Sequence, residues 1–278
     1  MKVMIFGATG LLGQALLRAW REDEVIGLGS RDVDIRDAAR VHEAVQSANP
    51  QWIVLSAAYT NVDQCESDPE FAFAVNRDGA MNVAEAAKRV GSKLLFLSSD
   101  YVFDGKKTTP YETNDGRNPQ SVYGRSKAEA EIRLLEALPD CCIARTSWLF
   151  GSGGKCFPDT ILKLAASRLS IDVVNDQRGC PTYSADLAGA MIQLCRKDAS
   201  GIVHVTNRGE CSWYEFASEI VAEAGLSTQV RPVSSQEISR PAPRPAYSVL
   251  SATSLHRYGI EMPVWKDALR RYLKERNG

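Results

Sequence analysis

Tyr123-Gly124-Arg125-Ser126-Lys127 sets a phenol and an ammonium four residues apart. On a helix that spacing puts both on one face, so both side chains enter the same space. A phenol with an ordinary pKa of about 10 exchanges protons poorly at neutral pH. A neighbouring positive charge favours phenolate and brings the group toward the working range, which makes the pair a candidate for proton transfer. Taken alone, the same spacing also describes a solvated surface pair. Upstream, the apolar run Leu94-Leu95-Phe96-Leu97 ends in Ser98-Ser99-Asp100, and Ser99 precedes Tyr123 by 24 residues. A hydroxyl at the carboxyl end of a parallel strand faces the crevice where such sheets bind ligands. Ser98 reads as a capping hydroxyl. Ser99, Tyr123 and Lys127 form the candidate catalytic set, able to hold and protonate a carbonyl oxygen.

A second constellation sits at the N-terminus. Gly7-Ala8-Thr9-Gly10-Leu11-Leu12-Gly13 follows a short apolar run and opens a helical pattern. Gly7 permits a sharp turn, Gly10 a close approach to a diphosphate, and Gly13 tight packing of helix on strand. Free N–H groups at the helix start then face the anion. Gly7, Thr9, Gly10, Leu11, Leu12 and Gly13 are therefore candidates to hold a dinucleotide. Where an acid would bind the adenosine ribose, the chain reads Gly27-Leu28-Gly29-Ser30-Arg31. An arginine there suits a 2′-phosphate. Ser30 and Arg31 point to NADP(H), with NAD(H) possible.

These residues need a scaffold. Apolar runs at 2–6, 24–28, 52–55, 93–97 and 141–145 alternate with helical patterns near 11–21, 36–48, 69–90 and 122–137. Continuous apolar strands separated by helices predict an α/β fold with a doubly wound parallel sheet of Rossmann type. Residues 1–150 form the expected dinucleotide-binding domain, with 171–205 returning to it. Residues 151–170 and 206–278 form a smaller C-terminal substrate lobe, with helical patterns at 156–169, 212–224 and 264–274, while the returning stretch carries a helical pattern near 184–197. Arg240-Pro241-Ala242-Pro243-Arg244-Pro245 can be neither helix nor central strand, and reads as an ordered loop closing over the site.

The 278 residues carry a formal net charge of -1 and no long basic run, which argues against nucleic acid and anionic membranes as partners. No signal peptide or membrane span is legible. Seven cysteines form an odd set without CxxC spacing, as expected for reduced core thiols in a cytoplasmic protein.

The G-x-x-G-x-x-G turn with Tyr-x-x-x-Lys resembles the extended short-chain dehydrogenase/reductase superfamily. A narrower likeness rests on four motifs in order: Ala57-Ala58-Tyr59-Thr60-Asn61-Val62-Asp63, Ser98-Ser99-Asp100-Tyr101-Val102-Phe103-Asp104-Gly105, Arg145-Thr146-Ser147-Trp148, and Asn175-Asp176-Gln177-Arg178-Gly179-Cys180-Pro181-Thr182. Together with the Arg-Pro stretch and Trp265, they resemble the dTDP-4-dehydrorhamnose reductase family over essentially the full chain. The resemblance implies hydride delivery from NAD(P)H to C4 of a keto sugar carried on a nucleotide. It implies that Tyr123 supplies the proton, that Lys127 binds the nicotinamide ribose and tunes Tyr123, and that Ser99 polarises the carbonyl. Asp34 and Ile35 resemble the family's adenine-edge contact, and Ala57, Ala58 and Tyr59 would line the middle of the cofactor. Val62, Val102, Trp148, Gln177 and Arg244 are the implied substrate contacts. Some members hold a magnesium between subunits with glutamates where this chain has Ala15 and Ala185, so no metal is expected, and the chain is a monomer or a different homodimer. Arg178 is bulkier than the residue expected there. A 4,6-dehydratase would need a glutamate after Asp100, where Tyr101 stands. A 4-epimerase, which uses the same three residues, stays open. So does a non-catalytic subunit resembling the methionine adenosyltransferase β chain.

Overall fold

The computed structural model describes residues 1–277. In the first half, strands β1 (Lys2–Phe6), β2 (Glu24–Leu28), β3 (Trp52–Leu55), β4 (Lys93–Ser99) and β5 (Cys142–Thr146) alternate with helices α1 (Leu11–Ala19), α2 (Ala38–Ala48), α3 (Val62–Ser67), α4 (Pro69–Phe73), α5 (Gly79–Val90) and α6 (Val122–Ala137). The second half adds β6 (Leu149–Phe150), α7 (Phe157–Ala165), β7 (Ser170–Val174), β8 (Arg178–Gly179), β9 (Thr182–Tyr183), α8 (Ser184–Arg196) and β10 (Gly201–His204). It closes with β11 (Cys211–Ser212), α9 (Trp213–Glu223), β12 (Gln229–Val233), α10 (Thr253–His256) and α11 (Trp265–Asn277).

Six strands form one parallel sheet in the order β10-β5-β4-β3-β1-β2. Strands β1 and β3 are buried along nearly their whole length, as strands covered on both faces must be. One apolar cluster joins the sheet to α1 and α8, and a second joins the opposite face to α2, α5 and α6. The chain is the predicted doubly wound α/β fold. Its strand order reverses between β1 and β3, and a crevice opens at the carboxyl ends there.

Three differences from expectation have local causes. Of the stretch expected to return to the main sheet, β10 joins it beside β5, but Ile171–Val174 does not. That segment, as β7, pairs in parallel with β12, an unforeseen strand whose Pro232 disguises it. The expected 69–90 helix is broken by a π-helical turn over Ala74–Asp78. The turn buries Asn76, whose side chain accepts from the Tyr59 amide at 2.8 Å and donates to the Tyr59 carbonyl and to Ser126 Oγ, both at 3.0 Å. Finally, β4 runs on through Ser98 and Ser99, so the candidate serine ends the strand.

A third apolar cluster packs α7, α9 and α11 around Phe150, Phe216 and Tyr272. No described helix is long and apolar enough to cross a membrane.

Candidate active site

The helix α6 begins where Ser121 accepts a hydrogen bond from the Gly124 amide at 3.1 Å, a standard N-cap. Tyr123 lies in its first turn and Lys127 one turn on, both buried. A Cβ at Gly124 would lie 2.2 Å from the Tyr101 carbonyl, so only glycine lets α6 press this closely on the turn that follows Ser99. Ser99, Tyr123 and Lys127 thereby line one cavity of about 440 Å³. Tyr101 packs edge-on against Tyr123, with centroids 5.5 Å apart.

A buried ionic network holds this assembly. Glu131, two turns beyond Tyr123, accepts from Arg145 on β5 at 2.9 and 2.6 Å, from Arg117 at 2.6 Å and from Ser98 at 2.5 Å. Burial pushes the Glu131 carboxyl up, but the hydrogen bonds and charge of Arg145, with help from Arg117 and Ser98, outweigh it and hold the group below its ordinary range. Ser98 is therefore a tie between β4 and α6, not the helix or turn cap its sequence suggests.

The electrostatics differ from the expectation that Lys127 would lower Tyr123. Burial pushes the Tyr123 phenol up, opposed by the Ser99 hydroxyl and reinforced by Asp100. Burial likewise pushes Lys127 down to about 7, with Glu131 opposing, and the ammonium sits 3.9 Å from the Phe96 ring centroid. With both groups desolvated, the neutral form of each is favoured. Tyr123 thus keeps its proton at neutral pH, the state a proton donor requires. Ser99 donates to Asp100 at 2.9 Å, and burial raises Asp100 to about 6.

The glycine turn forms another wall of the same cavity. Gly7 has φ +87°, and a Cβ at Gly13 would lie 2.1 Å from the Gly7 carbonyl. The first helical bond closes from Gln14 to Gly10, leaving the Leu11, Leu12 and Gly13 amides without helical acceptors. This cradle fits a diphosphate. An adjoining cavity of about 480 Å³ gathers Thr9, Ser30, Asp34, Ile35, Ala57, Ala58 and Tyr59, as an adenosine half would need. Arg31 stands exposed outside its lining, whereas Arg36, five residues further on, lies within it and pairs with Asp34 at 2.5 Å. Bare charge spacing after β2 could not rank one arginine over the other.

On the far side, Val62 and Trp148 join the central cavity, and Trp148 stacks on Trp213 at 3.5 Å with 6° between planes. Trp148 has φ +46°, a left-handed conformation rare for a bulky residue and frequent where function sets the backbone. A third cavity of about 380 Å³, sharing Tyr101 and Trp213, holds Gln177, Arg240 and Arg244. Arg244 grips Asp63 through two bonds of 2.8 and 2.9 Å, tying the proline-rich loop to α3. Val102 does not reach any of these spaces. Its side chain is buried among Phe103, Tyr111, Ala128 and Leu250, because the tight 3-10 turn over Asp100–Val102 directs it into the core. Tyr101 and Arg240 lie in stretches the sequence marks, a family motif and the loop expected to close over the site, but neither is singled out there, and Lys155 and Trp213 sit in segments that read only as loop or helix start. Arg178 pairs with Glu210 and Glu215 at 3.0 and 3.2 Å, which explains its bulk as an anchor of the lobe. Ala15 is packed into the core between α1 and α8, and Ala185 is exposed.

A glycine turn at the switch point of a parallel sheet, facing a Tyr-x-x-x-Lys helix, defines the extended short-chain dehydrogenase/reductase class. Known proteins narrow this further. The family model described as RmlD substrate binding domain matches residues 1–277. The chain is 43% identical to the spore coat polysaccharide biosynthesis protein SpsK of Bacillus subtilis, covering 99% of this chain and 98% of that protein. It is 39% identical to the dTDP-4-dehydrorhamnose reductase of Sinorhizobium fredii, covering 98% and 96%. The dTDP-4-dehydrorhamnose reductase of Bacillus anthracis, solved in complex with NADP, superposes with a TM-score of 0.96 at 38% identity, covering 99% and 100%. The chain belongs to the dTDP-4-dehydrorhamnose reductase family.

Proposed function

We propose that this protein reduces the C4 keto group of dTDP-4-dehydro-L-rhamnose to give dTDP-L-rhamnose, using NADPH. The observation that carries this reading is the convergence of Ser99, Tyr123 and Lys127 on one cavity with the glycine turn and Trp148. The bound nicotinamide supplies the hydride. Tyr123, protonated at neutral pH, gives its proton to the O4 that forms, and the Ser99 hydroxyl holds that oxygen beside the phenol. Lys127 sits one helical turn below Tyr123, placed to bind the nicotinamide ribose. Trp148 and Val62 shape the sugar pocket, and Gln177 and Arg244 face the nucleotide. Ser30 and the arginines near it favour NADPH over NADH. Asp100 is followed by Tyr101 instead of the second acid a dehydratase uses, which favours simple reduction. Seven unpaired, buried cysteines fit a cytoplasmic location.

The test is NADPH oxidation at 340 nm with dTDP-4-dehydro-L-rhamnose. Wild-type protein consumes NADPH stoichiometrically, and Tyr123→Phe loses about 10²-fold or more in kcat with NADPH affinity nearly unchanged. Sugar isomerisation without net NADPH loss would replace the reductase reading by an epimerase.

A further inference from the structure

The segment Gly151-Ser152-Gly153-Gly154-Lys155 crosses in front of α1 with no part in the reading above. Gln14, on the first turn of α1, donates from Nε2 to two carbonyls at once: Thr9 in the phosphate-binding turn at 2.9 Å, and Gly153 in this strap at 2.8 Å. Arg18, one turn on, donates to the Ser152 carbonyl at 3.3 Å. Gly153 has φ +102°, and a Cβ there would lie 2.4 Å from Gln14 Oε1. A Cβ at Gly154 would meet Leu11 at 3.3 Å. The strap is therefore shaped by glycine to lie flat on the start of α1, fastened by the same amide that fixes the turn.

What the strap delivers is Lys155. Its side chain lines the central cavity with the glycine turn and the Trp148–Trp213 pair, and it has no hydrogen-bond or ion-pair partner among the described residues. Among the described residues, only Lys127 and Lys155 bring positive charge to that cavity's lining. Lys127 is buried over Phe96 and pushed down to about 7, so at neutral pH it carries its charge only part of the time. Arg36, in the next cavity, is committed to Asp34. A helix N-terminus offsets about half a unit of charge, less than a diphosphate brings. The cradle of backbone amides thus lacks a side-chain cation, except for the one the strap holds at its rim.

We propose that Lys155 is a phosphate-binding residue, presented by the glycine strap to close over a diphosphate at the N-terminus of α1. The inference rests on the nicotinamide and nucleotide-sugar reading above. Two diphosphates meet in this cleft, that of the dinucleotide and that of the nucleotide-sugar, and their chemistry at Lys155 is the same.

The experiment measures binding alone, so turnover does not enter. Kd for NADPH is read by fluorescence and Kd for dTDP by calorimetry, on wild type, Lys155→Ala, Lys155→Arg and Gly153→Ala. Loss of a charge-assisted contact predicts roughly tenfold weaker binding for Lys155→Ala. Lys155→Arg stays within about threefold, and the deficit shrinks in high salt. A loss confined to NADPH assigns the cofactor diphosphate; one confined to dTDP assigns the substrate diphosphate; both support the proposal. Gly153→Ala, which displaces the strap, weakens the same ligand and adds little in the Lys155→Ala background. Wild-type binding with no loss in Lys155→Ala for either ligand overturns this proposal and leaves the reductase reading standing. Wild-type protein that binds neither ligand overturns both.

Discussion

Lys127 is the residue whose chemistry is most altered by where it sits. Its folded pKa, about 7, lies below the ordinary lysine value of 10.5 because burial disfavours the ammonium. The folded state therefore binds fewer protons than the unfolded chain between those values, and stability rises with pH across that window. Below pH 7 the full cost of the buried charge is present; approaching pH 10.5 it fades. Lys127→Met should raise the melting temperature more at pH 6 than at pH 9, by scanning calorimetry. An equal shift at both pH values would mean that Lys127 is not desolvated in the folded protein. Tyr123, beside it, is held up by the same burial, so a protonated phenol rests next to an ammonium of reduced charge.

At the scale of elements, α6 is positioned by chemistry that a helix pattern does not advertise. The Glu131–Arg145 pair has both side chains fully buried and joins α6 to β5, while Ser98 joins the same carboxylate to β4. Removing one partner of a buried pair leaves the other uncompensated, which costs about 3–5 kcal/mol. Glu131→Gln should destabilise the protein by roughly that amount in urea unfolding and should lower kcat as Tyr123 and Ser99 lose register. Because the folded pKa of Glu131 lies below its ordinary value, this stabilisation is present at neutral pH and is lost as pH falls through that depressed value. A variant as stable as wild type would show that packing alone holds α6. The π-helical turn at Ala74–Asp78 belongs to this scale as well. It breaks a helix to place Asn76 between the Tyr59 backbone and Ser126 on α6.

For the whole molecule, the decisive contact is the clasp between Asp63 and Arg244, 181 residues apart. Arg244 holds Asp63 below the ordinary carboxylate range, aided by the Ala242 amide. The clasp pulls the proline-rich loop onto α3 at the edge of the third cavity. Asp63→Asn should raise KM for the nucleotide-sugar several-fold while Kd for NADPH stays constant; equal effects on both would make the clasp a general stabiliser. Much of this molecule was legible in the linear chain. Apolar runs with helical spacing between them dictate the parallel sheet, since period and burial are local properties. The glycine turn and the Tyr123–Lys127 spacing dictate which faces carry chemistry, because each works within a few residues. The sequence could not show where Ile171–Val174 finds its partner strand, that Val102 turns into the core, or that Trp213 covers Trp148. Nor could it show that Tyr123 is raised instead of lowered. Those outcomes depend on what distant segments bring together and how completely they exclude water, and only the folded chain decides that.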